Sequence, residues 1–488
     1  MKHFLSAFIL CLIGGITSCS VESLNEPSVP KEDLSSYEIS SPSPKGYDDF
    51  FVTESMLKKY LRIVNKGRIV DLIEPVVENG EVLAYYVRFS DNSGWNLIAA
   101  DTRATPVLSE ASKGQLELDA GGPVNGILGT LKNVVDVKNN PESNIQAIWK
   151  FLCPEKYKVK TKSRQKEMRG NIVGMWMPVD TVFAYDTIFS GRTIATKWGQ
   201  GKPWDTYTPI DSMDSELRHS AVGCTAVASG QILYRYLCLT NGLFYIPDSV
   251  NIQTGTPQFI SFTSDWSGFA LDSLNLDSNS RKKTAKFLSW LGYNMDADYH
   301  YNSTPIGIPE AKDFMSDYLH FNSCHSYDYY IAHSNVLSHI PVLINGWTSD
   351  HSSGHAFIID ACKQIKYQAV VSYIFDPDHE VTDDEFFYYP DWMFQWPGPI
   401  FGYDPITGNA EQSVAIDIVD NTYFLMNWGW DGDYDDATYM ARSKNYYYNE
   451  DFTELYYSTD NIANVCWYVG DTGYTVVNDM VYGFRRID

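Results

Sequence analysis

Three short segments hold residue types that, brought together, suit nucleophilic acyl chemistry. The first is Ala221-Val222-Gly223-Cys224-Thr225-Ala226-Val227-Ala228-Ser229-Gly230-Gln231-Ile232. Ala228, Ile232 and Tyr236 recur at i, i+4 and i+8, which predicts a helix starting near the cysteine. A thiol at a helix N-terminus meets the positive end of the dipole, so its thiolate is stabilised and its pKa falls. Gly223 lets another backbone approach closely. The same pattern also suits a buried thiol in a small-residue helix. The second segment, Ser352-Ser353-Gly354-His355-Ala356-Phe357-Ile358-Ile359-Asp360, is a polar loop leading into an apolar strand. His355 opens the strand, with Phe357 and Ile359 on its side, and 341–346 reads as a neighbouring strand. His351 is a competing base, but it lies within the loop. The third segment, Phe424-Leu425-Met426-Asn427-Trp428-Gly429-Trp430-Asp431-Gly432, is an apolar strand ending in an aromatic-glycine turn. Such a turn can wall in the far side of an imidazole, or it can be a hairpin anchored by tryptophan.

The elements that must position these residues fall into a series. Lys2 and the apolar run 4–16 form a leader too short to span a bilayer. It ends in Ile16-Thr17-Ser18-Cys19, which resembles a bacterial lipobox, so 1–18 is expected to be a lipoprotein signal and Cys19 the lipidated residue. Residues 19–47, rich in Ser, Pro and Glu, read as a flexible tether. Residues 48–151 form a small α+β unit. It opens on Leu57, Tyr60, Leu61 and Val64 at helical spacing, followed by strands near 82–89 and 94–100, with Asn79-Gly80 as a turn. Its stretch 124–138 reads as a helix followed by a loop. Residues 152–185 carry Lys156, Lys158, Lys160, Lys162, Arg164, Lys166 and Arg169, a solvated connector or one face of an edge strand. Residues 186–488 form one large α+β unit.

The order cysteine, histidine, then Asn-Trp-Gly-Trp resembles the streptopain family of papain-clan cysteine peptidases. Trp198-Gly199-Gln200-Gly201-Lys202-Pro203-Trp204 is similar to that family's Trp-x-Gln-x-x-Pro segment, and Trp95 to Arg103 with Pro106-Val107-Leu108 to its inhibitory prodomain. The resemblance implies a papain-like two-lobed catalytic domain, a helical part plus an antiparallel sheet, preceded by a small α+β prodomain at 48–151 that acts as an intramolecular inhibitor. It implies hydrolysis of protein or peptide substrates, with Cys224 as nucleophile and His355 as base. Gln200 and the Cys224 N–H would serve the oxyanion, with no metal or organic cofactor. The connector 152–185 becomes the activation linker of a zymogen. Ser303, in the 296–303 loop, and Gly354 match substrate-contacting positions, and His300 stands where that loop would have a glycine.

Two departures from the pattern have structural consequences. The clan's orienting Asn stands two residues before a Trp-Gly pair, a place held here by Met426, with Asn427 one residue closer. Neighbours on a strand face opposite ways, so Met426 and Asn427 cannot both face His355. Either Asn427 or the packing of Trp428 then orients the imidazole. The stretch 362–420 is far longer than the pattern requires and reads as an inserted hairpin or subdomain.

Composition narrows the alternatives. A formal net charge of -24 repels phosphate backbones and argues against nucleic acid as a partner. Outside the leader, Cys153, Cys224, Cys238, Cys324, Cys362 and Cys466 show no CxxC pairs, so neither a zinc site nor a disulfide framework is expected. The envelope of a bacterial cell is the expected location, as an outer-membrane lipoprotein or at the cell surface, with release after maturation as a further route. Two other readings use the same residues: a transglutaminase-like acyltransferase, disfavoured by Thr225 where a Trp would follow the cysteine, and an inactive surface binding or adhesion protein on a peptidase scaffold.

Overall fold

The computed structural model describes residues 49–64, 68–119, 123–140, 146, 148–149, 153, 173–211, 213–237, 243–248, 258–263, 268–274, 277–347, 354–380, 411–448, 455–462, 467–469, 472–474 and 476–487. Cys19, the leader, the tether, the basic run 156–169, His351 and the centre of the long stretch, 381–410, lie outside them.

The N-terminal unit begins with α1 (Glu54–Val64), which buries Leu57, Tyr60 and Leu61 as their spacing predicts. A four-stranded antiparallel meander follows: β1 (Val70–Glu78), β2 (Glu81–Phe89), β3 (Trp95–Ala99) and β4 (Val107–Ala111). Asn79 and Gly80 turn β1 into β2 with φ of 52° and 83°, the paired left-handed geometry of a tight hairpin. The stretch 124–138 differs from expectation. It is two helices, α2 (Pro123–Gly129) and α3 (Lys132–Asn139), separated by a tight turn in which Thr130 N–H and Oγ1 both donate to the Ile127 carbonyl.

The C-terminal unit is a helical lobe packed on a large antiparallel sheet, which is the expected α+β class. The sheet comprises β5 (Val173–Phe189), β8 (Leu319–Cys324), β9 (Val342–Trp347), β10 (Gly354–Glu380), β11 (Glu411–Asn427), β12 (Thr438–Tyr448), β13 (Leu455–Ile462) and β16 (Val476–Arg486). Its order is β13-β12-β11-β10-β9-β16-β8, with β5 also paired to β10. Small hairpins, β6 (Leu243–Asp248) with β7 (Gln258–Thr263) and β14 (Trp467–Val469) with β15 (Thr472–Tyr474), stand apart from it. Among the described residues four helices complete the unit: α4 (Cys224–Leu237), α5 (Ser278–Asn294), α6 (Ile308–Ser316) and α7 (Tyr329–Leu337).

Alternation along the central strands assigns the layers. Leu343, Ala356, Ile358 and Val481 share a core with α4, α5 and α6. Val342, Ile344, Phe357, Ile359 and Met426 face the other way, sharing a core with α7 and with Leu83, Trp95, Leu131 and Val134 of the N-terminal unit. A further core joins Tyr60, Val107 and Trp149 to Ile365, Tyr423 and Met440. The N-terminal unit is therefore docked on the outer face of the large sheet. Polar contacts fix the register of that docking. Tyr423 Oη donates to the Val107 carbonyl (3.0 Å), Glu110 N–H to Thr438 Oγ1 (3.1 Å), and Lys363 pairs with the Glu110 carboxylate.

One expected boundary shifts. The connector was expected to run to residue 185, yet 173–189 is one strand, β5, paired with β10 from Lys363↔Phe189 to Glu380↔Val173. Its β-branched and aromatic residues suit a strand. The long stretch after His355 is in its described part a ribbon: β10 and β11 stay paired out to Ile374↔Glu411, with β5 along β10.

Candidate active site

Cys224 is the first residue of α4. Gly223 precedes it with φ +93°, and Val227 N–H donates to the Gly223 carbonyl (3.1 Å), so the glycine ends the extended approach and starts the helix. A Cβ on Gly223 would lie 2.6 Å from the Thr304 carbonyl oxygen, so no other residue fits there. Cys224 Sγ accepts a hydrogen bond from Ala356 N–H (3.4 Å), on the strand opposite. Burial raises the thiol pKa, but the hydrogen bond and charge of His355, the Ala356 N–H and Thr225 outweigh it and hold it below the ordinary thiol value.

His355 enters at the start of β10, paired with Gly346 of β9. Its Nε2 lies 3.0 Å from the Trp428 backbone carbonyl. A carbonyl only accepts, so Nε2 carries the proton and Nδ1 is left as the basic nitrogen. The imidazole is stacked with Phe357 (centroids 6.2 Å, 13°) and Trp428 (6.1 Å, 21°), and meets Trp430 edge-on (5.9 Å, 84°). Asn427 does not reach it. Asn427 is buried, donates from Nδ2 to the Thr196 carbonyl (2.8 Å) and accepts Gly429 N–H (3.2 Å). The Thr196 carbonyl also accepts from Gln231 Nε2 of α4 (3.1 Å). Asn427 thus ties the loop to the helix that carries Cys224, while the Trp428 carbonyl and ring orient the histidine.

The Gln200 backbone is tied to the residues leading into Cys224, because the Gln200 carbonyl accepts Val222 N–H (2.9 Å). The flanking residues are gripped by Asp431 of the aromatic-glycine turn. Its carboxylate accepts from Trp204 Nε1, and a Cβ on Gly199 would fall 2.4 Å from Asp431 Oδ2. Trp198 fills the helical-lobe core and donates from Nε1 to the Ala270 carbonyl (2.7 Å). The Trp-x-Gln-x-x-Pro segment and the Asn-Trp-Gly-Trp turn therefore interlock, and each fixes the other's place around Cys224.

Residues 198–376 match the Peptidase C10 family. The matched stretch is similar to that family and includes Gln200, Cys224, Ser303, Gly354 and His355. No curated protein matches the chain. Among solved structures, it is similar to a fragment of prointerpain A from Prevotella intermedia, at 16% identity and TM-score 0.43, covering 84% of this chain and 97% of that one. It is also similar to active interpain A cysteine protease of the same organism, at 16% identity and TM-score 0.34, covering 60% of this chain and 94% of that one.

The remaining expected positions lie in the 296–304 loop and at the start of β10. Thr304 Oγ1 donates to the Ala221 carbonyl (2.6 Å) and Ala221 N–H to the His300 carbonyl (3.0 Å), which pins the 296–304 loop against the residues leading to Cys224. Ser303 is exposed on that loop, and His300 points its Nε2 at Asp298 (3.3 Å). Gly354 pairs with Trp347, whose ring would lie 3.0 Å from an added Cβ.

Sequence reading did not single out the buried charges behind the site. Asp360 is wholly buried in β10, with Arg192 Nε 3.3 Å from Oδ2. An acidic residue closing an apolar run, Phe357-Ile358-Ile359-Asp360, was the available signal, since a buried carboxylate demands a cation. Burial, opposed by Arg192 and aided by Asp435, pushes the Asp360 carboxyl up to about 7. Burial likewise raises Asp435 to about 6. Between the unfolded carboxyl value and these, the folded protein binds more protons than the unfolded chain, so stability falls as pH rises from about 4 to 7. Asp360→Asn should flatten that slope, lowering the loss of Tm between pH 5 and 8 by on the order of 5 °C. Thermal unfolding across this range checks it, and superimposable slopes would remove Asp360 from the account.

Proposed function

We propose that the chain is a cysteine endopeptidase made as a lipid-anchored zymogen. The catalytic reading rests on one observation above all: a helix-start thiol that accepts the Ala356 N–H, next to the strand start where His355 commits Nε2 to the Trp428 carbonyl. Cys224 attacks the peptide carbonyl as thiolate. His355, charged at Nδ1 by the thiol proton, donates that proton to the leaving amine. Water then hydrolyses the thioester, with His355 as its base. The Cys224 amide is among those that a helix start leaves without an intrahelical acceptor, so it and the Gln200 side chain serve the oxyanion. No step calls for a metal or organic cofactor.

Upstream, residues 48–151 serve as the inhibitory prodomain, supported by the cores and polar contacts that unit shares with the catalytic sheet. Cys19 carries the lipid that holds the precursor at the bacterial envelope, a reading supported by the lipobox-like Ile16-Thr17-Ser18-Cys19. Ser303 and Gly354 contact the substrate from either side of the cleft.

A thiol-directed activity probe on the processed protein, with a peptide substrate alongside, tests the reading: both label and turnover should require Cys224. Gln200→Ala tests the oxyanion assignment separately. It should lower kcat by about a hundredfold or more, the usual cost of one oxyanion donor, with little change in KM. An unchanged kcat would leave the Cys224 amide without this partner.

A further inference from the structure

We propose that Arg192 is a positioning residue for catalysis, a clamp that closes the neck of the loop presenting the Trp428 carbonyl to His355. This rests on the reading of Cys224 and His355 as the reacting pair.

The loop leaves β11 at Asn427 and rejoins the sheet at Thr438 in β12. It carries the His355 acceptor at Trp428, the edge-on ring at Trp430 and the anchor of the Gln200 segment at Asp431. Arg192 bridges its two ends. One terminal nitrogen, Nη2, donates to the Met426 carbonyl (2.9 Å) and the other, Nη1, to the Asp435 carbonyl (2.6 Å). The third nitrogen, Nε, faces the buried Asp360 carboxylate. Asp435 closes the circuit, since its Oδ1 accepts Trp428 N–H (3.1 Å). Trp428 is therefore held at its N–H by Asp435 and gives its carbonyl to His355, while Arg192 fixes the backbone on both sides. The residues around Arg192 are laced to β10. Ser190 N–H donates to the Cys362 carbonyl (3.0 Å) and Thr193 N–H to the Asp360 carbonyl (3.1 Å). The clamp thus has a rigid base.

Geometry explains why this position holds arginine. A guanidinium presents its donors in a planar fork, so it reaches both carbonyls and the carboxylate at once. A lysine ammonium keeps the charge beside Asp360 but cannot span the neck. The expected consequence of losing the fork is a shifted Trp428 carbonyl and an imidazole no longer held toward Cys224, a small displacement with a large kinetic effect.

The test compares the processed wild-type enzyme with Arg192→Lys, and with Leu319→Ala, a core truncation on the edge strand β8, three strands from β10 in the sheet, as a control for lost stability. Two quantities are measured: kcat and KM on a peptide substrate, and the pH dependence of Cys224 alkylation by iodoacetamide. Arg192→Lys should lower kcat about tenfold to a hundredfold with KM nearly unchanged. It should also shift the alkylation profile by about one pH unit, because the thiolate loses its placed imidazolium. Leu319→Ala should move neither. If Arg192→Lys is not recovered folded, Asp435→Ala severs the Trp428 N–H support instead, with the same outcome expected. A wild-type kcat and alkylation profile in the folded variant overturns the clamp, as does a loss matched by Leu319→Ala. If Cys224→Ala itself retains turnover, the fault lies in the underlying peptidase reading; if it is dead while Arg192→Lys behaves as wild type, only the clamp fails.

Discussion

Cys224→Ala should lower peptide hydrolysis by on the order of a millionfold, the scale seen when the nucleophile of an acyl-transfer unit is removed, and leave a folded protein. The fold should survive because the substitution is local. Cys224 sits at a helix start whose geometry is set by Gly223, and alanine keeps the Cβ and favours the helix. The lost Ala356 N–H to Sγ contact is long, at 3.4 Å, and costs little. His355→Ala should be almost as severe, because nucleophile and base act as one unit and their losses do not add. The measurements are steady-state turnover, covalent labelling by a thiol-directed probe and a thermal melt. Turnover in the Cys224 variant comparable to wild type would end the cysteine-peptidase reading; a dead enzyme with a melt lowered by more than several degrees would call for Cys224→Ser before the loss could be ascribed to chemistry.

What was legible in the sequence follows from how local each signal is. The helix at Cys224 and the strand at His355 declared themselves through short-range periodicity, and the hairpin at Asn79-Gly80 through a dipeptide that tolerates left-handed backbone. The strandedness of 173–189 was hidden because its partner is β10, about 190 residues later, and the basic run just upstream made the region look like a connector. The two helices at 123–139 were merged because an apolar stripe carries no mark of a break when the turn is closed by a threonine. The division between Asn427 and Trp428 was open for a deeper reason. Strand alternation says that Met426 and Asn427 face opposite sides, but not that the histidine's acceptor is a main-chain carbonyl, which every residue possesses. The Arg192, Asp360 and Asp435 network is invisible for the same reason: its members are far apart in the chain and meet only because β10 and β11 pair. A lone aspartate in an apolar strand hinted at a buried cation without saying which one.

Full-length protein should be nearly inactive until it is cut, and the cut should fall upstream of Val173. The docked N-terminal unit shares one buried cluster with Trp428 and Phe357, the side chains stacked with His355, through Leu131 and Val134 of its α3 region. Its β4 is bonded to β12 through Glu110 and Thr438, and Val107 to Tyr423. A unit so tied to the layer that supports the base is well placed to hold it in an unproductive state, and covalent linkage keeps its effective concentration high. Cleavage between 173 and 189 would strip β5 from β10 and loosen the segment that carries Arg192, so a productive site must precede that strand. The basic run 156–169 offers Lys and Arg bonds to a trypsin-like partner, and the enzyme itself is the other candidate. The experiment exposes full-length Cys224→Ala to trypsin or to processed wild-type enzyme and sequences the new N-terminus, while wild type is assayed before and after the same treatment. Activity should rise roughly a hundredfold, as when docking holds about one molecule in a hundred in the competent state. The new N-terminus should lie before Val173, and release of the Cys19-bearing fragment should accompany it. An uncut full-length protein with full activity would refute the zymogen. A productive cut inside β5 would show instead that the strand belongs to the inhibitor rather than to the enzyme.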